Sequence, residues 1–205
     1  MLSVYTGTPG TGKSLHVCED IKQALHSGRH VITNFEFRDD LIKHKGEFLY
    51  LPNKKLKYPD FFYDYGLSHN VRPDGSVIMG NTLVVIDECQ NLFDARQWNT
   101  PGRREWNEFA AQHRKYGFDI ILITQSKKSL DKRLLANTEF EVEHRNMKHY
   151  KALGLILSLF FMGHLFVWVK RYLATKEKVS SKWFIGSKRK FKYYNSFKIF
   201  DSDVA

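Results

Sequence analysis

Eight residues near the amino terminus have the types and spacing to hold a polyphosphate. Gly7-Thr8-Pro9-Gly10-Thr11-Gly12-Lys13-Ser14 fits the pattern G-x-x-x-x-G-K-[ST]. Glycines let the backbone curl until successive N–H groups converge on phosphate oxygens with no side chain in the way. Lys13 adds a point charge for the β- and γ-phosphates, and the Ser14 hydroxyl is a ligand for Mg²⁺. A helix opening at Lys13 would aim its amino-terminal dipole at the same anion. The expected occupant is ATP with Mg²⁺.

A second constellation lies further along. Thr82-Leu83-Val84-Val85-Ile86-Asp87-Glu88 is an aliphatic run ending in two acids. A strand of this kind places Asp87 at the carboxyl edge of a sheet, beside the loop after the first strand, where such folds bind ligands. Asp87 is expected to hold the metal with Ser14, and Glu88 to polarise an attacking water as general base. Gln125, at the tip of the next apolar strand, is a candidate sensor of the γ-phosphate, or else part of an ordinary strand-to-loop turn. Arg114 is the foremost candidate for an arginine finger reaching a neighbouring subunit, with Arg103, Arg104 and Arg133 behind it; a solvated surface arginine is the alternative. His113 and Cys89 are read as packed residues, without a catalytic part.

The elements that must position these groups alternate between strand and helix. Leu2–Thr6 reads as a strand leading into the glycine loop. Leu15, Cys18, Ile21 and Leu25 recur at helical spacing over 13–26, and Gly28 follows as a stop. Further strands are expected over 30–35, 83–86 and 118–124, and a helix over 105–116 that carries Trp106, Phe109, Ala110 and His113 on one face. Continuous apolar strands separated by helices imply an α/β fold, a P-loop NTPase with a mostly parallel sheet flanked by helices. Residues 36–81 exceed an ordinary connection, so helices or an inserted functional loop are expected there.

Charge divides the chain unequally. Residues 1–150 carry 21 Lys/Arg against 19 Asp/Glu, a balance of +2; residues 151–205 carry 11 against 3, a balance of +8, together the net +10 of the whole. The division suggests a P-loop core over 1–150 and a basic, β-rich extension over 151–205, with phospholipid or nucleic acid as its anionic partner. Lys188-Arg189-Lys190 beside Phe191, Tyr193 and Tyr194 could grip single-stranded DNA by charge and stacking, or form a charged strand edge. Two cysteines, Cys18 and Cys89, imply neither a disulfide framework nor a zinc site. No secretory signal precedes the glycine loop.

Residues 152–169 run for 18 positions without a formal charge. That touches the lower length limit of a membrane-spanning helix. Gly154, Ser158, Gly163 and His164 interrupt the run, and its second half is β-rich. The favoured reading is a short apolar helix or strand at 153–161, then strands through 165–172, 182–185 and 191–194. A spanning or interfacial helix is the alternative.

The glycine loop at the amino terminus and four further segments carry a family resemblance: Val31-Ile32-Thr33-Asn34, Val84-Val85-Ile86-Asp87-Glu88-Cys89-Gln90, the stretch from Gln112-His113-Arg114-Lys115 through Ile123-Thr124-Gln125, and Tyr193-Tyr194-Asn195-Ser196-Phe197-Lys198. They resemble the zonula occludens toxin family, assembly ATPases of filamentous bacteriophages. The resemblance implies a motor at the cytoplasmic face of the host inner membrane that uses ATP to extrude phage single-stranded DNA as it acquires coat protein. It further implies a homo-oligomer working with other phage assembly and coat proteins. Family members commonly continue into a transmembrane helix and an extracytoplasmic tail, with which the toxin activity is associated; that activity is not expected here. Two other functions fit the same residues: a soluble P-loop DNA translocase or replication ATPase, and a nucleotide-gated scaffold that binds ATP without turnover.

Overall fold

The computed structural model describes residues 1–97, 99–149, 164–186 and 193. Its frame is a sheet of eight strands. In chain order these are β1 (Leu2–Thr6), β2 (His30–Thr33), β3 (Phe48–Tyr50), β4 (Thr82–Ile86), β5 (Phe118–Ile123), β6 (Phe140–Asn146), β7 (Leu165–Tyr172) and β8 (Lys178–Ile185). Across the sheet they run β3-β2-β4-β5-β1-β6-β7-β8. The strands from β3 to β6 are mutually parallel, whereas β7 and β8 join antiparallel.

β1 and β4 are buried at every position, as continuous apolar strands covered on both faces must be. Helix α1 (Lys13–His26) lies on one face and turns Leu15, Val17, Cys18, Ile21, Ala24 and Leu25 inward. Its core partners include Tyr5, Val31, Val85, Ile121 and Val142. The other face is covered by α2 (Asp60–His69), the single turn α3 (Gln90–Phe93), α4 (Arg103–Gln112) and the short α5 (Lys132–Ala136). Phe62, Trp106, Phe109 and Phe118 form an aromatic cluster there, with ring centroids 5.4–5.8 Å apart. The Trp106 indole donates to the Leu56 carbonyl (2.7 Å), satisfying the one polar atom of a buried ring.

The long connection over 36–81 supplies the edge strand β3 and helix α2, so it contributes to both the sheet and the core. The expected 105–116 helix is α from Arg103 to Gln112 and then tightens to a 3₁₀ turn over His113–Tyr116, ending at Gly117 with φ 74°. A side chain at Gly117 would stand 2.7 Å from the Ile78 carbonyl, which is why a residue without Cβ ends this helix.

The β-rich carboxyl-terminal extension is present as β7 and β8, which continue the parallel sheet past β6. The last five residues of the uncharged 152–169 run belong to β7, so that run is not one continuous helix. Among the described residues no helix is long and apolar enough to cross a membrane. The expected element at 153–161 and the basic run 188–190 lie outside the described residues, as does 191–194 apart from Tyr193. That residue stacks on Phe37, with centroids 5.9 Å apart, and sits beneath the Lys22 ammonium.

Candidate nucleotide site

The glycine loop leaves β1 and enters α1 with Gly7, Gly10 and Gly12 at φ values of 146°, 76° and 87°. Gly10 is open on its Cβ side. A Cβ at Gly7 would lie 2.6 Å from the His144 carbonyl, and one at Gly12 would lie 2.9 Å from the Phe166 ring. Glycine is therefore required twice for space and three times for backbone conformation. Thr8, Pro9 and Gly10 form an exposed crest. The Thr11 hydroxyl donates to the Thr8 carbonyl (2.7 Å), and the Asn146 amide donates to the Gly10 carbonyl (3.2 Å).

Lys13 Nζ donates to the carbonyls of Gly7 (2.6 Å) and Thr8 (3.1 Å), folding its charge over the loop. Burial pulls the pKa of this ammonium down, while the charges of Asp87 and Glu88 act in the opposite direction. Lys13 thus lies within the electrostatic reach of both acids. Ser14 is half-buried at the second position of α1.

Asp87 follows the carboxyl end of β4, with β5 between that strand and β1, and its charge still acts on Lys13 of the loop. The tip of the intervening strand is where Thr124 and Gln125 lie. Asp87 is 8% exposed. Its backbone is clamped by Asn34, whose Oδ1 accepts the Asp87 N–H (2.7 Å) and whose Nδ2 donates to the Asp87 carbonyl (2.9 Å). This side chain extends the β2–β4 ladder past its last backbone pair, Thr33 with Val85. The Asp87 carboxylate accepts the Glu88 N–H (2.8 Å), and Glu88 turns sharply at φ 46°. Gln90 Nε2 donates to the Glu88 carboxylate.

Gln125 is exposed and lines a cleft of about 420 Å³ behind the loop, with Thr8, Lys127, Glu141 and Asn146 among its walls. In that cleft Lys127 pairs with Glu141, which also accepts the Thr6 hydroxyl (3.3 Å). Gly7, Thr8 and Thr11 of the glycine loop also line this cleft.

Arg114 stands at the opposite end of the sheet. It precedes β5, pairs with Glu139 just before β6, and is separated from the loop by the length of the strands. Within one chain it does not reach the site. Arg103 is buried with its guanidinium 5.3 Å from the Phe93 ring centre, which removes it from the finger candidates. Arg104 pairs with Glu108 (2.9 Å). His113 is packed as expected, its Nδ1 at 2.7 Å from the Ala110 carbonyl and its pKa lowered by burial. Cys18 and Cys89 are buried free thiols.

The model of the zonular occludens toxin (Zot) family matches residues 1–198. The chain belongs to the Zot family. Among curated relatives it is 31% identical over 134 residues to the Gene 1 protein of Enterobacteria phage fd, covering 64% of this chain and 38% of that protein. It is 32% identical over 128 residues to ORF301 of Pseudomonas phage Pf3, described as a proposed assembly protein, covering 62% and 36%. The chain therefore aligns with little more than a third of these relatives. The solved amino-terminal domain of zonular occludens toxin from Neisseria meningitidis superposes with a TM-score of 0.59 at 20% identity, covering 95% of this chain and 98% of that one. The DNA-packaging ATPase of Sulfolobus Turreted Icosahedral Virus does so with a TM-score of 0.54 at 15% identity, covering 91% and 97%. The Zot chain described here thus has the fold of a P-loop NTPase.

Four groups at the site escaped sequence reasoning: Asn34, Gln90, and Glu141 and Asn146 of β6. The alternation of Phe140, Val142 and His144 with Glu141, Glu143 and Arg145 is a strand signal that could have revealed β6. Asn34 and Gln90 stand in segments that carry the family resemblance, but nothing in their spacing gave them a role, because their partners come from folding.

Proposed function

We propose that this chain binds and hydrolyses ATP as the motor of filamentous phage assembly and extrusion at the cytoplasmic face of the host inner membrane. The observation that carries the reading is the convergence of Lys13, Asp87 and Glu88 at the mouth of a loop whose glycines hold backbone amides clear of side chains. Membership of the Zot family and likeness to the Gene 1 proteins support the phage setting.

Gly7, Thr8, Gly10, Thr11 and Gly12 present backbone N–H groups to the phosphates, Pro9, which has no N–H, shapes the crest between them, and Lys13 exchanges the carbonyls of Gly7 and Thr8 for phosphate oxygens. Two carboxylates facing a phosphate chain repel it unless a divalent cation lies between, so the donor set fits Mg²⁺ held by Ser14 and Asp87. When bound, the ion neutralises charge that develops on the phosphate oxygens. Glu88 takes a proton from the attacking water, and Gln125 reads the γ-phosphate. The motor acts as a homo-oligomer with Arg114 supplied in trans, alongside coat and other assembly proteins, with phage single-stranded DNA as cargo.

Purified Lys13→Ala and Glu88→Gln variants test this. Lys13→Ala should lose nucleotide binding, and Glu88→Gln should bind ATP normally but lose turnover by at least about a hundredfold. Wild-type phosphate release by both variants would refute the assignment.

A further inference from the structure

Gln90 has been given no role so far, yet its side chain is committed to Glu88. The chain leaves β4 through Asp87, passes Glu88 at φ 46°, and is fastened to the tip of β5 by the Cys89 N–H on the Ile123 carbonyl (3.0 Å). The Asn91 N–H closes on the Glu88 carbonyl (2.9 Å). A left-handed turn at a residue with a side chain is uncommon and persists only where its surroundings enforce it. Here it brings residue 90 round so that Gln90 Nε2 donates to Glu88 Oε2. The other end of the same amide, Oε1, is buried without a hydrogen-bond partner.

That imbalance is informative. A buried carbonyl oxygen without a donor costs stability, and turning the carboxamide towards water would relieve it. The amide instead gives its N–H to a carboxylate, so its orientation serves Glu88 at the expense of the fold. A carboxylate held on one oxygen is fixed in direction and keeps the other oxygen for a water molecule.

We propose that Gln90 is the positioning residue for Glu88, aiming its carboxylate at the water that attacks the γ-phosphate. This rests on the reading of Glu88 as general base. Gln90 touches neither nucleotide nor metal; it acts through the acid.

The experiment uses the full chain with Gln90→Met, which keeps the length and removes both amide groups, and Gln90→His, which restores a ring N–H at similar reach. With saturating Mg-ATP, Gln90→Met should lower kcat about tenfold with KM within about twofold, and its Tm should stay level or rise. Gln90→His should recover most of the lost turnover. The Glu88→Gln, Gln90→Met double variant should be no slower than Glu88→Gln alone, because one residue works through the other. Wild-type kcat in Gln90→Met beside an inert Glu88→Gln overturns the assignment to Gln90 alone. So does a fall in kcat that comes with a lower Tm and weaker nucleotide binding, or losses that multiply in the double variant. Wild-type turnover in Glu88→Gln overturns the general base itself, and this proposal with it.

Discussion

Asn34 joins groups 53 residues apart with two short hydrogen bonds, and it is 2% exposed. Asn34→Ala removes both of these hydrogen bonds from the buried backbone of Asp87. It should cost about 2–3 kcal/mol in urea unfolding and also lower turnover, because the acids lose their fixed backbone. Asp20 offers a test by pH. Burial pushes its carboxyl up to about 6 from an ordinary value of 3.8, and the Tyr5 hydroxyl that donates to it (2.9 Å) offsets only part of that. Between 3.8 and 6 the folded state keeps a proton that the unfolded state has released, so this group's contribution is intact below 3.8 and is lost as pH rises through 6. Asp20→Asn should therefore raise stability by about 3 kcal/mol at pH 8 and by nothing at pH 3.5, measured by thermal melts across that range. Residues whose chemistry is local were legible in the sequence: the glycines, Lys13, Ser14 and the paired acids announce themselves by spacing. Asn34 and Gln90 were not, because an amide declares nothing until a partner distant in the sequence, or a turn at an unusual φ, brings a carboxylate or peptide within reach.

Among the elements, α1 and β1, β4 and β5 followed the apolar patterning closely, since each buries a clear face or two. β6 was missed because only half of it is apolar: Val142 and His144 face α1, while Glu141 and Glu143 carry ion pairs with Lys127, Arg145 and Arg171. The order of β5 and β4 was also beyond the sequence, which fixes which strands are buried but not which neighbour each takes. The seating of β7 on the phosphate loop gives a prediction at this scale. Phe166 is 4% exposed, stacks on Phe184 with centroids 5.4 Å apart, and closes against Gly12. Phe166→Ala should destabilise the fold by about 3–4 kcal/mol and weaken nucleotide binding several-fold, read by urea titration and by binding of a fluorescent ATP analogue.

At the scale of the whole molecule, Arg114 and the phosphate loop occupy opposite ends of the sheet, so a finger role demands that one copy's lower edge meet the next copy's upper edge. Such head-to-tail contacts generate rings or filaments, not two-fold dimers. Lys13→Ala and Arg114→Ala chains should each be nearly inert alone, yet an equal mixture should recover turnover, because about a quarter of its junctions pair an intact loop with an intact arginine. A mixture as inert as its components would remove Arg114 from the reaction.

The ladder from β3 to β8, broken only by a register shift at Lys170 and Arg171 among the described strands, has a spatial consequence. Hydrogen-bonded strands and the stacked rings of Phe166 and Phe184 lead from the outermost basic strands straight to the glycine loop. The outer antiparallel strands and the turn at Gly12 are thus joined by direct contact, with no linker between them.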